Sequence, residues 1–173
     1  MNINFQQLIP RHFNNNSHVW IYQSSRLFTL RETDIIDELL INFTESWKSN
    51  HAPVKGYANL FYGQFIILMA DSTETSNNLS TDSFVSVIKN IGRHFGVELF
   101  DRLMLAFIIH ERIQLLHLSE LNSLIEKEVI TGDTLYFNNS ILTKKEFMTD
   151  WIIPVKESWL SSRVLEKNCI EIE

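Results

Sequence analysis

Between residues 18 and 110 the chain reads strand, helix, strand, strand, helix, strand. That order predicts an α+β protein with a ferredoxin-like βαββαβ antiparallel sheet, both helices on one face, and an α/β C-terminal extension. Three observations carry it. Phe65–Ala70 is six apolar residues without polar alternation, as in a strand covered on both faces. Two segments repeat apolar residues at helical spacing next to cap residues. Between two β-type runs stands Tyr62-Gly63, where glycine supplies the positive φ of a tight hairpin turn.

The elements follow in order. Residues 1–17 are polar, close on Asn14-Asn15-Asn16 and read as an extended N-terminal arm. Val19–Gln23 is rich in β-branched and aromatic residues and is the first strand. Thr29-Leu-Arg-Glu32 has capping-box spacing, in which the hydroxyl and the carboxylate satisfy orphan amides. After it Ile36, Leu40, Phe43 and Trp47 share one helical face, so a helix runs to about Lys48. Val54–Phe61 and Gln64–Ala70 form the hairpin. Ser80 or Thr81 opens a second helix with Phe84, Val87, Ile88, Ile91 and Phe95 on one face and Gly96 at its C-cap. Leu103–Ile109 is a further strand, and Ile113–Leu118 returns after the His110-Glu-Arg112 turn. Ser119–Ile130 reads as a helix ended by Gly132, and Thr134–Phe137 as a short strand. Thr143-Lys-Lys-Glu146 is a second capping box, opening a short helix that stops before Pro154. The organisation expected is an arm over 1–17, one domain over 18–163 and a tail over 164–173. Within that domain the core is 18–110 and the extension 111–163.

In the strands at 19–23, 65–70 and 103–109 both alternating sets are largely apolar. One set faces the helices, and the other must also leave water, because an exposed face of that size would be a sticky patch. Its cover is either the C-terminal third folded back or a second copy of the chain, a homodimer through the apolar sheet face.

Composition narrows the class. With 45% hydrophobic and 12% aromatic residues in 173, the chain has the means to bury a core and is not disordered. Cys169 is the only cysteine, so no internal disulfide forms and a reducing compartment fits. The start lacks the basic and apolar regions of a secretory leader, and no apolar run reaches membrane-spanning length. A net charge of −6 with scattered cations argues against a nucleic-acid footprint. The expectation is a soluble cytoplasmic protein with no membrane or nucleic-acid partner.

Chemistry would sit where the sheet empties into loops. In the ferredoxin-like order the first and third strands are parallel neighbours, so their carboxyl ends lie together. Gln23, Ser24 and Arg26 would then leave the sheet at the edge where Asp71 leaves it, and the second helix would bring Ser80 and Asp82 there. A helix N-terminus favours an anion, Arg26 can grip one bidentately, and Asp71 can orient Arg26. Structural roles for the same residues stand beside this: Ser80 as N-cap, Asp82 as a first-turn acid, Arg26 with Asp71 as an ion pair. Other constellations are thinner. No two of the six His have the i, i+4 spacing of a helical zinc site. His110 and His117 bracket a hairpin without a third ligand, so no metal is expected. There is no Gly-x-Ser-x-Gly elbow, and the five Gly form neither a P-loop nor a dinucleotide fingerprint, which excludes a P-loop ATPase and leaves no cofactor implied.

Four stretches resemble a family: Val19-Trp-Ile-Tyr-Gln-Ser-Ser-Arg26, Leu99-Phe-Asp-Arg102, Phe137-Asn-Asn139 and Pro154-Val-Lys-Glu-Ser-Trp159. They look like signatures of a group of short, uncharacterised bacterial proteins, some of which carry the label "ABC transporter ATPase". The motifs here give that label no support. Relatives have Gly-Cys-Ser-x-Asp where this chain has Asn78-Leu-Ser-Thr-Asp82, so Ser80 and Asp82 match while Leu79 replaces the cysteine. A thiol role therefore does not transfer. The resemblance implies a ligand edge made by Gln23, Ser24, Arg26, Ser80 and Asp82, with Lys156, Glu157 and Trp159 folded over it. The functional expectation is a non-catalytic binding or interaction module. The alternative is a small enzyme or ligand-binding protein for an anionic metabolite at the edge of Arg26, Asp71, Ser80 and Asp82.

Overall fold

The computed structural model describes residues 3–49, 51–71 and 82–164. Its elements are β1 (His18–Gln23), α1 (Leu30–Ser46), β2 (Lys48–Ser49), β3 (Ala52–Pro53), β4 (Gly56–Phe61), β5 (Phe65–Ala70) and α2 (Asp82–Phe95). These are followed by β6 (Met104–Ile109), β7 (Arg112–His117), α3 (Leu121–Glu126), β8 (Leu135–Phe137), α4 (Lys144–Asp150) and β9 (Ile152–Pro154). It is an α+β protein with antiparallel sheets. Where the sequence reading has one domain over 18–163, the chain divides into two compact units. One comprises Asn4–Asp101 with Asn139–Met148, the other Met1–Ile3, Arg102–Asn138 and Thr149–Glu173.

The first unit holds a three-stranded sheet in the order β1-β5-β4, antiparallel throughout. The β4–β5 hairpin turns as its sequence dictates: Tyr62 and Gly63 both take positive φ, and the Gln64 N–H donates to the Phe61 carbonyl at 3.0 Å. α1 starts on its capping box, the Thr29 N–H donating to Glu32 Oε2 at 2.7 Å and the Glu32 N–H to Thr29 Oγ1 at 3.3 Å. It buries Ile36, Leu40 and Phe43, with Trp47 at its C-cap. α2 buries Phe84, Ile88 and Ile91 and ends at Gly96, whose φ of 63° is the left-handed conformation a C-cap asks for. Both helices pack on one face of the sheet, against Tyr22, Ile66, Leu68 and Ala70. The expected start of α2 at Ser80 or Thr81 lies outside the described residues.

The ferredoxin-like order is not what forms. β1 and β5 run antiparallel, with His18 opposite Ala70 and Gln23 opposite Phe65. The fourth expected strand, β6, belongs to a different sheet. A strand apolar on both faces satisfies its core equally well in either direction, so burial alone does not choose between them.

All six residues of β5 are buried. The face turned from the helices is covered within the unit by the N-terminal segment and α4. Phe5 meets Phe61 with ring centroids 6.4 Å apart and Phe147 at 4.9 Å, and Phe61 meets Phe147 at 5.9 Å. Residues 4–17 are therefore a strap rather than an arm, anchored by buried Phe5, Ile9 and Phe13. Lys144, itself buried, holds the strap by donating to the carbonyls of Pro10 at 2.8 Å and Phe13 at 2.7 Å. Burial pulls its pKa down, against the opposing charge of Asp71.

The other unit is built on an antiparallel sheet ordered β7-β6-β8-β9. β9 was not evident in the sequence. The expected helix over 119–130 is shorter, a 3-10 turn at Leu118–Glu120 followed by α3. Leu105, Phe107, Leu121, Ile125, Tyr136 and Val155 centre its core. No helix among the described residues is long and apolar enough to cross a membrane.

Candidate functional site

The antiparallel register separates the residues that the parallel arrangement would have gathered. Gln23 ends β1 opposite the start of β5, while Asp71 follows its far end, opposite His18. Five residue steps of about 3.4 Å put roughly 17 Å of strand between those ends. Arg26 and Asp71 accordingly have different partners.

Arg26 forks onto Glu32, with Nη1–Oε2 and Nη2–Oε1 both at 2.8 Å. The same guanidinium donates to the Phe95 carbonyl at 2.9 Å and the Leu27 carbonyl at 3.1 Å. It thus ties the first turn of α1 to the last of α2, and its donors answer a helix C-terminus. Hydrogen bonds from Arg26, then from the Thr29 N–H, hold the Glu32 carboxyl down at about 2. The same bond raises the pKa of Arg26.

Asp71 is wholly buried and accepts from Lys55 Nζ at 2.7 Å and from Ser17 Oγ at 3.4 Å. Its own N–H donates to the Lys55 carbonyl at 2.9 Å. Strand, strap and β4 approach meet on this carboxylate, an arrangement that fixes the fold rather than presenting a charge.

Gln23 is buried and accepts from Asn139 Nδ2 at 2.8 Å. Ser24 is fully buried, its N–H donating to the Gln64 carbonyl at 2.8 Å and its carbonyl accepting from Gln64 Nε2 at 3.2 Å. Asp82 stands exposed in the first turn of α2. Ser80 lies outside the described residues. Lys156 belongs to the other unit and pairs with exposed Asp133 at 2.6 Å, which raises its pKa. His110 and His117 sit at opposite ends of the β6–β7 hairpin, since Ile109 pairs with Arg112 and Met104 with His117. Among the described residues no group of three His, Cys, Asp or Glu side chains could hold a metal ion.

Two concave features of the first unit went unnoticed in the sequence. A cleft of about 770 Å³ lies at the end of α2, lined by Lys89, Arg93, Val97, Glu98, Leu99 and Phe100. It adjoins the β1 exit loop, because Ser25 donates its N–H to the Glu98 carbonyl at 2.9 Å and Tyr22 packs on Phe100 at 5.3 Å. The second is a groove of about 500 Å³ between α1 and α2, walled by Ile35, Leu39, Val87 and Ile91 with Asn90 and His94 at its side. Ile35 is 44% and Leu39 40% exposed. The signal for this groove was present: Ile35, Leu39 and Asn42 recur at i, i+4 and i+7, one step round α1 from the core stripe.

Fold and sites together define an α+β protein in which the Arg26–Glu32 and Lys55–Asp71 contacts tie its elements to one another and whose helical layer carries an open apolar groove. Comparison with protein-family models, with curated proteins and with solved structures gives no match for the chain.

Proposed function

We propose that this protein is a non-catalytic interaction module of the cytoplasm, using the outer face of α1 and α2 as its contact surface. The observation that carries the reading is the α1–α2 groove, where Ile35 and Leu39 stay in water although the same helices bury Ile36, Leu40 and Ile88. An apolar stripe next to a filled core, rimmed by polar residues, is what a contact surface looks like. Arg26 and Asp71 serve the scaffold: Arg26 closes the helix ends on each other, and Asp71 anchors Lys55.

A second reading, a site for an anionic metabolite, has one observation of its own. Lys89 and Arg93 line the cleft at the end of α2 beside the apolar Val97 and Phe100. A thermal-shift screen of anionic metabolites, nucleotides and divalent ions separates the two readings. The interaction module predicts no stabilisation that depends on Lys89, Arg93 or Arg26. A ligand whose stabilising effect disappears in Lys89→Ala or Arg93→Ala, with the unliganded melting temperature unchanged, overturns the non-catalytic reading in favour of the second.

A further inference from the structure

We infer that the α1–α2 groove takes a basic amphipathic helix from a partner protein; this rests on the interaction-module reading and names its occupant. The lining residues on α1 run from Ile35 to Ser46, eleven steps of about 1.5 Å, so the floor is about 16 Å long, or three helical turns. The polar groups offered along it are side chains of Asn42, Ser46, Asn90 and His94, with no open sheet edge to pair a main chain. An occupant that satisfies its own backbone is a helix, laid in by apolar residues at i, i+3 or i+4, and i+7.

Helical spacing places exposed Asp34, Glu38 and Glu45 along the outer flank of the α1 stripe, with Arg31 as the single cation on that flank. Glu38 lies three residues after Ile35 and four before Asn42, hence beside the groove wall. On α2 the cations Lys89 and Arg93 line the other cleft, Arg93 also donating to Asn90 Oδ1 at the groove, while Val87, Asn90, Ile91 and His94 face the groove. The rim is therefore net acidic on the α1 side, and a partner with Lys or Arg on its polar flank meets opposite charge there.

The test uses the full chain and three synthetic helical peptides of about three to four turns. All share one leucine stripe, and the polar flank carries Lys, Gln or Glu. Fluorescence anisotropy should show saturable binding of the Lys peptide, at least about tenfold tighter than the Gln peptide and weakened by salt. Two surface pairs, Ile35→Ser with Leu39→Ser and Glu38→Lys with Glu45→Lys, should each weaken it about tenfold while circular dichroism melting stays near that of the parent. If the Gln peptide binds as tightly as the Lys peptide and both depend on Ile35 and Leu39, the basic partner is wrong and the interaction module survives. If the chain self-associates through Ile35 and Leu39, the occupant is a second copy, with the same consequence. Should no peptide bind and the chain stay monomeric, both the inference and the groove as contact surface fall.

Discussion

Gly56 opens β4 against the flat of Trp47, and replacing it tests how the core of the first unit is seated. A Cβ built there would collide with Trp47 Cε3 and lie 2.9 Å from Cζ3. The indole has little room to retreat. It is 2% exposed and ringed by Phe43 at 4.9 Å, Phe84 at 5.8 Å and Trp20 at 6.2 Å. Overpacking of this kind costs about 1–3 kcal/mol, against a gain of about 0.4–1 kcal/mol from a stiffer unfolded chain. The net cost for Gly56→Ala is about 1–2 kcal/mol, a fall in melting temperature of about 2–8 °C for a chain of this size. Urea unfolding followed by circular dichroism reads the same loss as a lower midpoint with an unchanged slope. The cost belongs to one contact, so it should shrink in a Trp47→Phe background, which removes the benzo ring that the new methyl meets. Trp47 Nε1 has no hydrogen-bond partner among the described residues, so that background gives up no hydrogen bond among them. A double-mutant cycle should then show a coupling of about 1 kcal/mol or more. If Gly56→Ala is as stable as the parent, or if its cost is the same with Phe at position 47, the seating of Trp47 described above is wrong.

Two ionic contacts make further predictions. Glu32 is held at about 2 in the folded protein against an ordinary 4.5, so its contribution is complete above about pH 4.5 and is lost as pH falls towards 2. Acid unfolding curves should lose part of that slope in Arg26→Ala, and identical slopes would contradict the Arg26–Glu32 fork. The Lys55–Asp71 pair should respond asymmetrically, because the lysine is 33% exposed and the aspartate 1%. Lys55→Met removes the ion-pair partner of a buried carboxylate that keeps its Ser17 bond and the nearby Lys144 charge, and should cost about 1–3 kcal/mol, whereas Asp71→Asn lets the lysine turn to water and should cost less. Chemical denaturation of both variants checks the order, and the reverse order would place Asp71 nearer solvent than described.

Local features of this fold were legible in the sequence and long-range ones were not. The capping box of Thr29 and Glu32, the stripe from Ile36 to Trp47, the Tyr62-Gly63 turn and the Gly96 cap each depend on a few neighbouring residues. The pairing direction of β1 and β5 depends on how α1 and β4 return the chain, and neither strand's composition encodes that. The candidate site inherited the error, since placing Arg26 beside Asp71 required parallel strands. The strap reads as an extended arm in the sequence because its polar residues outnumber its anchors, although Phe5, Ile9 and Phe13 recur every fourth position. The α1–α2 groove was hidden by success elsewhere: once Ile36, Leu40 and Phe43 account for the buried face, Ile35 and Leu39 read as ordinary surface residues.

The claim that matters most is that the helical layer is a contact surface, and amide shift mapping by NMR addresses it directly. Titrating the leucine-striped Lys peptide into labelled protein should move resonances along Ile35, Leu39, Val87, Ile91 and His94, and leave the cleft at Val97–Phe100 unmoved. Shifts confined to that cleft, or spread evenly over the acidic surface, would contradict it.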